Sequence, residues 1–166
     1  MSATAINTIV GIVGIIVGII GTLVTIFAIS KKKTITITKK NRLYCSIEEK
    51  GSFTFDYSDN NGEYIIGSGE KLFRTRWSKA SDTSIHAYKD GNGMCAIALL
   101  KNVGNIEDMK NIEGDFSSRC RSPRVGDAII WQNMYGNYAI TKVVDIKDDS
   151  RKDAHDELTC DYIILD

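Results

Sequence analysis

The residues Ile6 to Ile29, INTIVGIVGIIVGIIGTLVTIFAI, hold no charged side chain and run directly into Lys31, Lys32 and Lys33. At about 1.5 Å of rise per residue, such a run is long enough as a helix to cross the roughly 30 Å hydrocarbon core of a bilayer. The sequence therefore predicts a transmembrane helix within residues 1–30, a basic juxtamembrane segment over 31–42 and a separate domain over 43–166. On a helical wheel Thr4, Asn7, Gly11, Gly14, Gly18, Gly21, Thr22 and Thr25 fall within one arc, with Ile and Val filling the rest. Lipid tails solvate Ile as well as another helix does, so membrane helices associate where small residues let backbones approach. Asn7, Gly11, Gly14, Gly18 and Gly21 are the expected packing residues of a glycine-zipper self-association. The alternative is a simple anchor whose glycines reflect their general frequency in membrane helices.

No Lys or Arg precedes this run and six follow it by Arg42, which predicts the N-terminus outside and the following domain in the cytoplasm. A cleaved signal peptide needs a basic leading region, a shorter apolar core and a small-residue cleavage site, and the sequence has none of these. Cys45, Cys95, Cys120 and Cys160 are widely spaced, with no CxxC pair and no zinc-like Cys/His cluster. In that orientation they are expected as reduced thiols, and no metal or cofactor is expected.

Beyond the lysines, Thr34-Ile35-Thr36-Ile37-Thr38 alternates as a short strand does. From Leu43 onward the hydrophobic period stays near two. Strands are predicted at Leu43 to Glu48, Ser52 to Tyr57, Glu63 to Ile66, Lys71 to Trp77 and Ser84 to Tyr88. Four more are predicted at Met94 to Leu100, Ala128 to Gln132, Tyr138 to Ile146 and Leu158 to Leu165. Asp59 to Gly62, Asp90 to Gly93 and Tyr135 to Asn137 carry residues that tolerate positive φ and are expected to close hairpins. One short helix is expected over Asn105 to Ile112, where Ile106, Met109 and Ile112 recur at helical spacing. About 125 residues after the span suffice for one domain. The expected fold class is mainly β, a small barrel or sandwich with at most one or two short helices.

Lys+Arg and Asp+Glu number 21 each, but the balance hides a polarity. Residues 31–42 are wholly basic, whereas Val144 to Asp166 carries eight carboxylates against three cations. Catalytic patterns are sparse: there is no G-x-S-x-G, Walker or GxGxxG sequence, and only two histidines. His86 shares a strand face with Ser84 and Tyr88, while His155 lies in an acidic stretch without calcium-loop spacing. The expectation is a protein that is not an enzyme.

More informative is the run Arg74 to Ser84. Arg74, Arg76 and Ser78 alternate on one side of a strand that ends in Lys79, Ser81 and Ser84, and Trp77 offers a flat ring. Cations, hydroxyls and an aromatic plane match a phosphate-bearing base, which takes charge-assisted bonds and stacking. Arg119, Arg121 and Arg124 form a second basic loop, and the two stretches with His86 are the candidate ligand-binding set. The competing reading pairs these cations with carboxylates of the acidic tail.

The chain resembles the small membrane effectors of bacterial anti-phage signalling: type III CRISPR accessory membrane proteins, and membrane-anchored β-barrel effectors of cyclic-oligonucleotide systems. The likeness is architectural, a membrane segment joined to a compact β domain. The segments Arg76 to Ser81, Ser84-Ile85-His86 and Val125-Gly126-Asp127 are also similar to stretches of uncharacterised bacterial β-rich proteins. The resemblance implies a homo-oligomeric effector in the inner membrane that binds a cyclic oligonucleotide, not DNA, and perturbs the bilayer. The rival from another class is a membrane-tethered adaptor for a protein partner.

Overall fold

Alternation decides the fold, because successive strand side chains point to opposite faces and the apolar set must be buried. The computed structural model describes residues 43–81, 83–109 and 113–165. In that region ten strands form: β1 Cys45–Ser46, β2 Lys50–Phe55, β3 Glu63–Ile66, β4 Phe73–Ser81, β5 Ser84–Tyr88, β6 Met94–Leu100, β7 Cys120–Arg121, β8 Ala128–Asn133, β9 Tyr138–Lys147 and β10 Glu157–Ile164. They make two five-stranded sheets, ordered β1-β3-β4-β5-β7 and β2-β10-β9-β8-β6. The domain is mainly β, built of two sheets and not a closed barrel. All neighbours run antiparallel except β1 and β3.

The core lies between the sheets. Phe73, Thr75 and Trp77 of β4 point inward while Arg74, Arg76 and Ser78 point out; β10 buries Leu158, Cys160, Tyr162 and Ile164 in the same rhythm. Trp77 and Trp131 meet across the layers, ring centroids 5.3 Å apart at 71°. Each indole N–H has a buried acceptor, Thr75 Oγ1 at 2.9 Å and Thr141 Oγ1 at 2.8 Å. Strand β8 instead buries Ala128, Ile129, Ile130 and Trp131 in succession, the pattern of a strand covered on both faces. A second apolar cluster explains it: Ala98, Ile106, Ala128, Ile130 and Ile140, with Phe116 and Tyr138 packed against them, on the outer side of the second sheet.

Several sequence expectations change. Of the three expected hairpin turns, only Tyr135 to Asn137 joins paired strands, β8 and β9. Asp59 to Gly62 and Asp90 to Gly93 carry the chain from one sheet to the other. Their positive-φ residues reverse the chain as expected, at Asn60, Asn61, Gly62 and Gly93, but packing between the layers sets where it goes. Gly62, at φ +68°, lies so close to Trp77 that a Cβ would collide with the Trp77 carbonyl oxygen. The expected helix over Asn105 to Ile112 is a single 3-10 turn, Ile106–Asp108, capped by the Asn105 side chain; residues 110–112 lie outside the described region. Strand β4 extends to Ser81 through an irregularity beyond Lys79. Strand β7 was not expected.

Among the described residues no helix is long and apolar enough to cross a membrane. The predicted span, its Asn7, Gly11, Gly14, Gly18 and Gly21, the Thr34 to Thr38 strand and the basic segment lie outside the described residues.

Trp77→Ala removes the inter-sheet ring and is expected to lower the unfolding free energy by about 3–5 kcal/mol in urea denaturation. Thr75→Val, which orphans the Trp77 N–H, is expected to lower it by about 1–3 kcal/mol.

Candidate functional site

The strand register assembles a polar cluster on the outer face of the first sheet. Ser78 of β4 lies opposite His86 of β5, Arg76 opposite Tyr88, and Tyr88 opposite Cys120 of β7. The Ser78 hydroxyl donates to Tyr88 Oη at 3.1 Å. His86 Nδ1 is 2.8 Å from Ser122 Oγ and 3.7 Å from Cys120 Sγ, and its ring meets Tyr88 edge-on at 5.8 Å. Burial pushes the Cys120 thiol up, against a lowering bond from Tyr88. The sulfur is therefore held as a neutral thiol rather than an activated thiolate.

Around this cluster most cations are committed to local carboxylates. Arg74 pairs with Glu63 at 2.8 Å. Arg119 grips Asp90 in a fork, Nε to Oδ1 at 2.8 Å and Nη2 to Oδ2 at 2.6 Å. That bond, with added attraction from Arg76 and Lys89, holds the Asp90 carboxyl below the usual carboxylate range. Arg121 lies opposite inward-facing Ala87 and pairs with Asp115 at 2.9 Å. Hydrogen bonds from Ser117, followed by Arg121, pull the Asp115 carboxyl well down. Arg76 differs: its Nε donates to the Asn61 carbonyl at 3.3 Å, while its terminal guanidinium nitrogens bond to nothing among the described residues. Arg124 is exposed at the entry to β8, its backbone N–H given to Asp127.

Two expectations for the ligand set are corrected. Trp77 is no stacking platform; it is 1% exposed because its strand parity turns it into the core. The basic loop does not form one pocket wall: Arg119 faces outward and Arg121 lies inward, while exposed Arg124 bridges Ser84 of β5. Ser84 is largely buried, and its hydroxyl is spent on Ser81 at 2.7 Å. The two basic stretches do meet at one point, where Arg76 and Arg119 both act on Asp90. Sequence reading placed Arg76 and Ser78 on one side of one strand and His86 with Tyr88 on one side of another; the pairing of β4 with β5 brings them to a single face. Cys120 and Ser122 left no signal, because a two-residue strand is too short to show a period.

Of the expected pairings with the acidic tail, one is present. Lys79 binds Asp148, and also Asp149 at 3.5 Å. Asp148, Asp149 and Asp156 converge closely enough to hold a metal ion, but the Lys79 ammonium and Arg151, 3.0 Å from Asp148 Oδ2, already bring cations there. His155 pairs with Glu157 at 3.0 Å.

Compared with family models, curated proteins and solved structures, the chain matches none.

Burial alone would raise the Asp148 pKa, but bonds from Lys79 and Ser150 and the charge of Arg151 outweigh it and hold the carboxyl down to about 2. The folded value thus lies below the unfolded one of about 4. The stability Asp148 contributes is present above about pH 4 and lost as pH falls toward 2. Melting temperatures across that window are expected to fall less steeply in Asp148→Asn than in the native chain.

Proposed function

We propose that the chain is a membrane-anchored effector whose β domain reads a phosphate-bearing signal on the outer face of its first sheet. The signal of this reading is a cyclic oligonucleotide, and binding drives assembly that lets the glycine faces of several spans pack and perturb the inner membrane. The observation that carries the reading is the contrast between Arg76 and its neighbours. Arg74, Arg119, Arg121 and Lys79 are each paired with a carboxylate, whereas the Arg76 fork, attracted toward Asp90, makes no hydrogen bond from its terminal nitrogens among the described residues and stands beside Tyr88, Ser78 and His86. A guanidinium with free donors next to hydroxyls and an imidazole suits a phosphate oxygen. The protonated Cys120 favours recognition over nucleophilic chemistry.

A ligand moves an equilibrium only by binding one state better than the other. A change from mostly separate to mostly assembled copies needs about 5 kcal/mol of differential affinity. Two or three charge-assisted bonds of about 1.5–3 kcal/mol each supply that.

In thermal-shift titrations of the detergent-solubilised full chain with cyclic di-, tri- and tetranucleotides, one ring size is expected to raise the melting temperature. Arg76→Ala is expected to weaken that binding by about 10- to 100-fold; undiminished affinity would mean that the site lies elsewhere. In bacteria supplied with the active nucleotide, Gly14→Ile combined with Gly18→Ile is expected to abolish membrane depolarisation. Depolarisation at the native level would leave the glycine face without a role.

A further inference from the structure

Each sheet ends in two edges, and the four differ in how they are protected. β1 and β7 are two residues long, too short to template another strand. β6 carries an irregularity between Met94 and Ala96, and β7 lies against it. β2 is different: it pairs with β10 through six consecutive residues without a bulge, and among the described residues nothing pairs with its other side. Its sequence KGSFTF holds no proline, and its single charge, Lys50, stands at the first position. Long, regular edges of this kind pair with further strands unless a bulge, a proline or a central charge prevents it.

We propose that β2 is the interface between two copies of this chain, pairing antiparallel with itself across a two-fold axis centred on Phe53. Antiparallel partners directly opposite each other share a face. A continuous sandwich therefore requires outward Lys50, Ser52 and Thr54 to meet outward residues of the second copy. With the axis at Phe53, Ser52 faces Thr54 of the second copy, and Lys50, which also lies 3.3 Å from Glu107 of its own chain, faces Asp56 of the second copy. Two-fold symmetry makes each contact twice, so the register forms two opposite-charge pairs and no like-charge pair. Apolar surface is available beside it. Tyr44 packs edge-on against Phe55 with centroids 5.3 Å apart, which places β1 next to this edge, and its flanking Leu43 and Ile47 are 64% and 73% exposed.

This pairing deepens the proposed function by naming how copies associate, and it rests on that reading's assembly of copies, though not on the ligand. The test mixes full-length Ser52→Cys and Thr54→Cys chains in detergent under mild oxidation, with the chain lacking both changes as the control for native cysteines. The mixture is expected to yield a disulfide-linked dimer at least about tenfold more abundant than either variant alone, since only residues 52 and 54 come within bridging distance. Thr54→Lys, which sets a charge against Ser52 of the second copy, is expected to raise the dimer dissociation constant at least about tenfold in sedimentation equilibrium. Equal cross-linking of either variant alone, or a monomer at every concentration, would overturn the interface. So would protection of the β2 amides from hydrogen exchange that does not change with protein concentration, which would assign the edge to a segment of the same chain. A cross-link formed by a chain that binds no cyclic nucleotide leaves the interface standing and removes the signal; nucleotide binding without the cross-link does the reverse.

Discussion

The contact on which the domain depends is the edge-to-face meeting of Trp77 and Trp131. One ring comes from the central strand of the first sheet and the other from β8 of the second, and both are almost wholly buried. Such a core demands that both N–H groups be satisfied without water, because an unmade buried hydrogen bond costs more than a made one returns. Thr75 and Thr141 meet that demand from inward positions of β4 and β9, and Thr75 passes the chain of bonds on to the Tyr64 carbonyl. The layers are thus fastened by packing at the centre and by polar groups matched to it. Gly62 belongs to the same arrangement, since the loop crossing between sheets runs against the Trp77 carbonyl.

From that contact the outer face follows. Once Trp77, Thr75 and Phe73 are committed inward, Arg74, Arg76 and Ser78 have no choice but to face out, and the register with β5 sets His86 and Tyr88 beside them. Core and candidate site are the two sides of one strand. The Trp77 ring is therefore unavailable to that face, which presents hydroxyls, an imidazole and a guanidinium. The electrostatics reinforce this: most cations near the face have a carboxylate within reach, and exposed pairs of that sort contribute little to stability. Among the described residues the terminal nitrogens of Arg76, by contrast, have no hydrogen-bond partner.

Much of this was legible beforehand. Three strands, Glu63–Ile66, Ser84–Tyr88 and Met94–Leu100, have the bounds that alternation and turn residues predict. Others differ at their ends, where pairing with a neighbour decides how far a strand continues; Lys79 and Ser81 extend β4 because β5 is there to bond with them. The outward sides of β4, with Arg76, and of β5, with His86, were each readable, but not that the two strands pair, and Cys120 and Ser122 come from a segment linked to β5 by two residues of ladder and one further bridge.

By itself the sequence determined an all-β domain following a long apolar segment, which faces of its strands are apolar, and where the chain reverses, because these depend on periodicity and on local φ preferences. Only the tertiary structure decided which reversals close hairpins and which cross between sheets. It also decided that Trp77 is core, that Arg119, Arg121 and Lys79 are neutralised, and that among the described residues β2 has no second strand beside it. Those outcomes rest on which strands become neighbours, and neighbours are chosen by long-range burial and pairing that no local stretch of residues encodes.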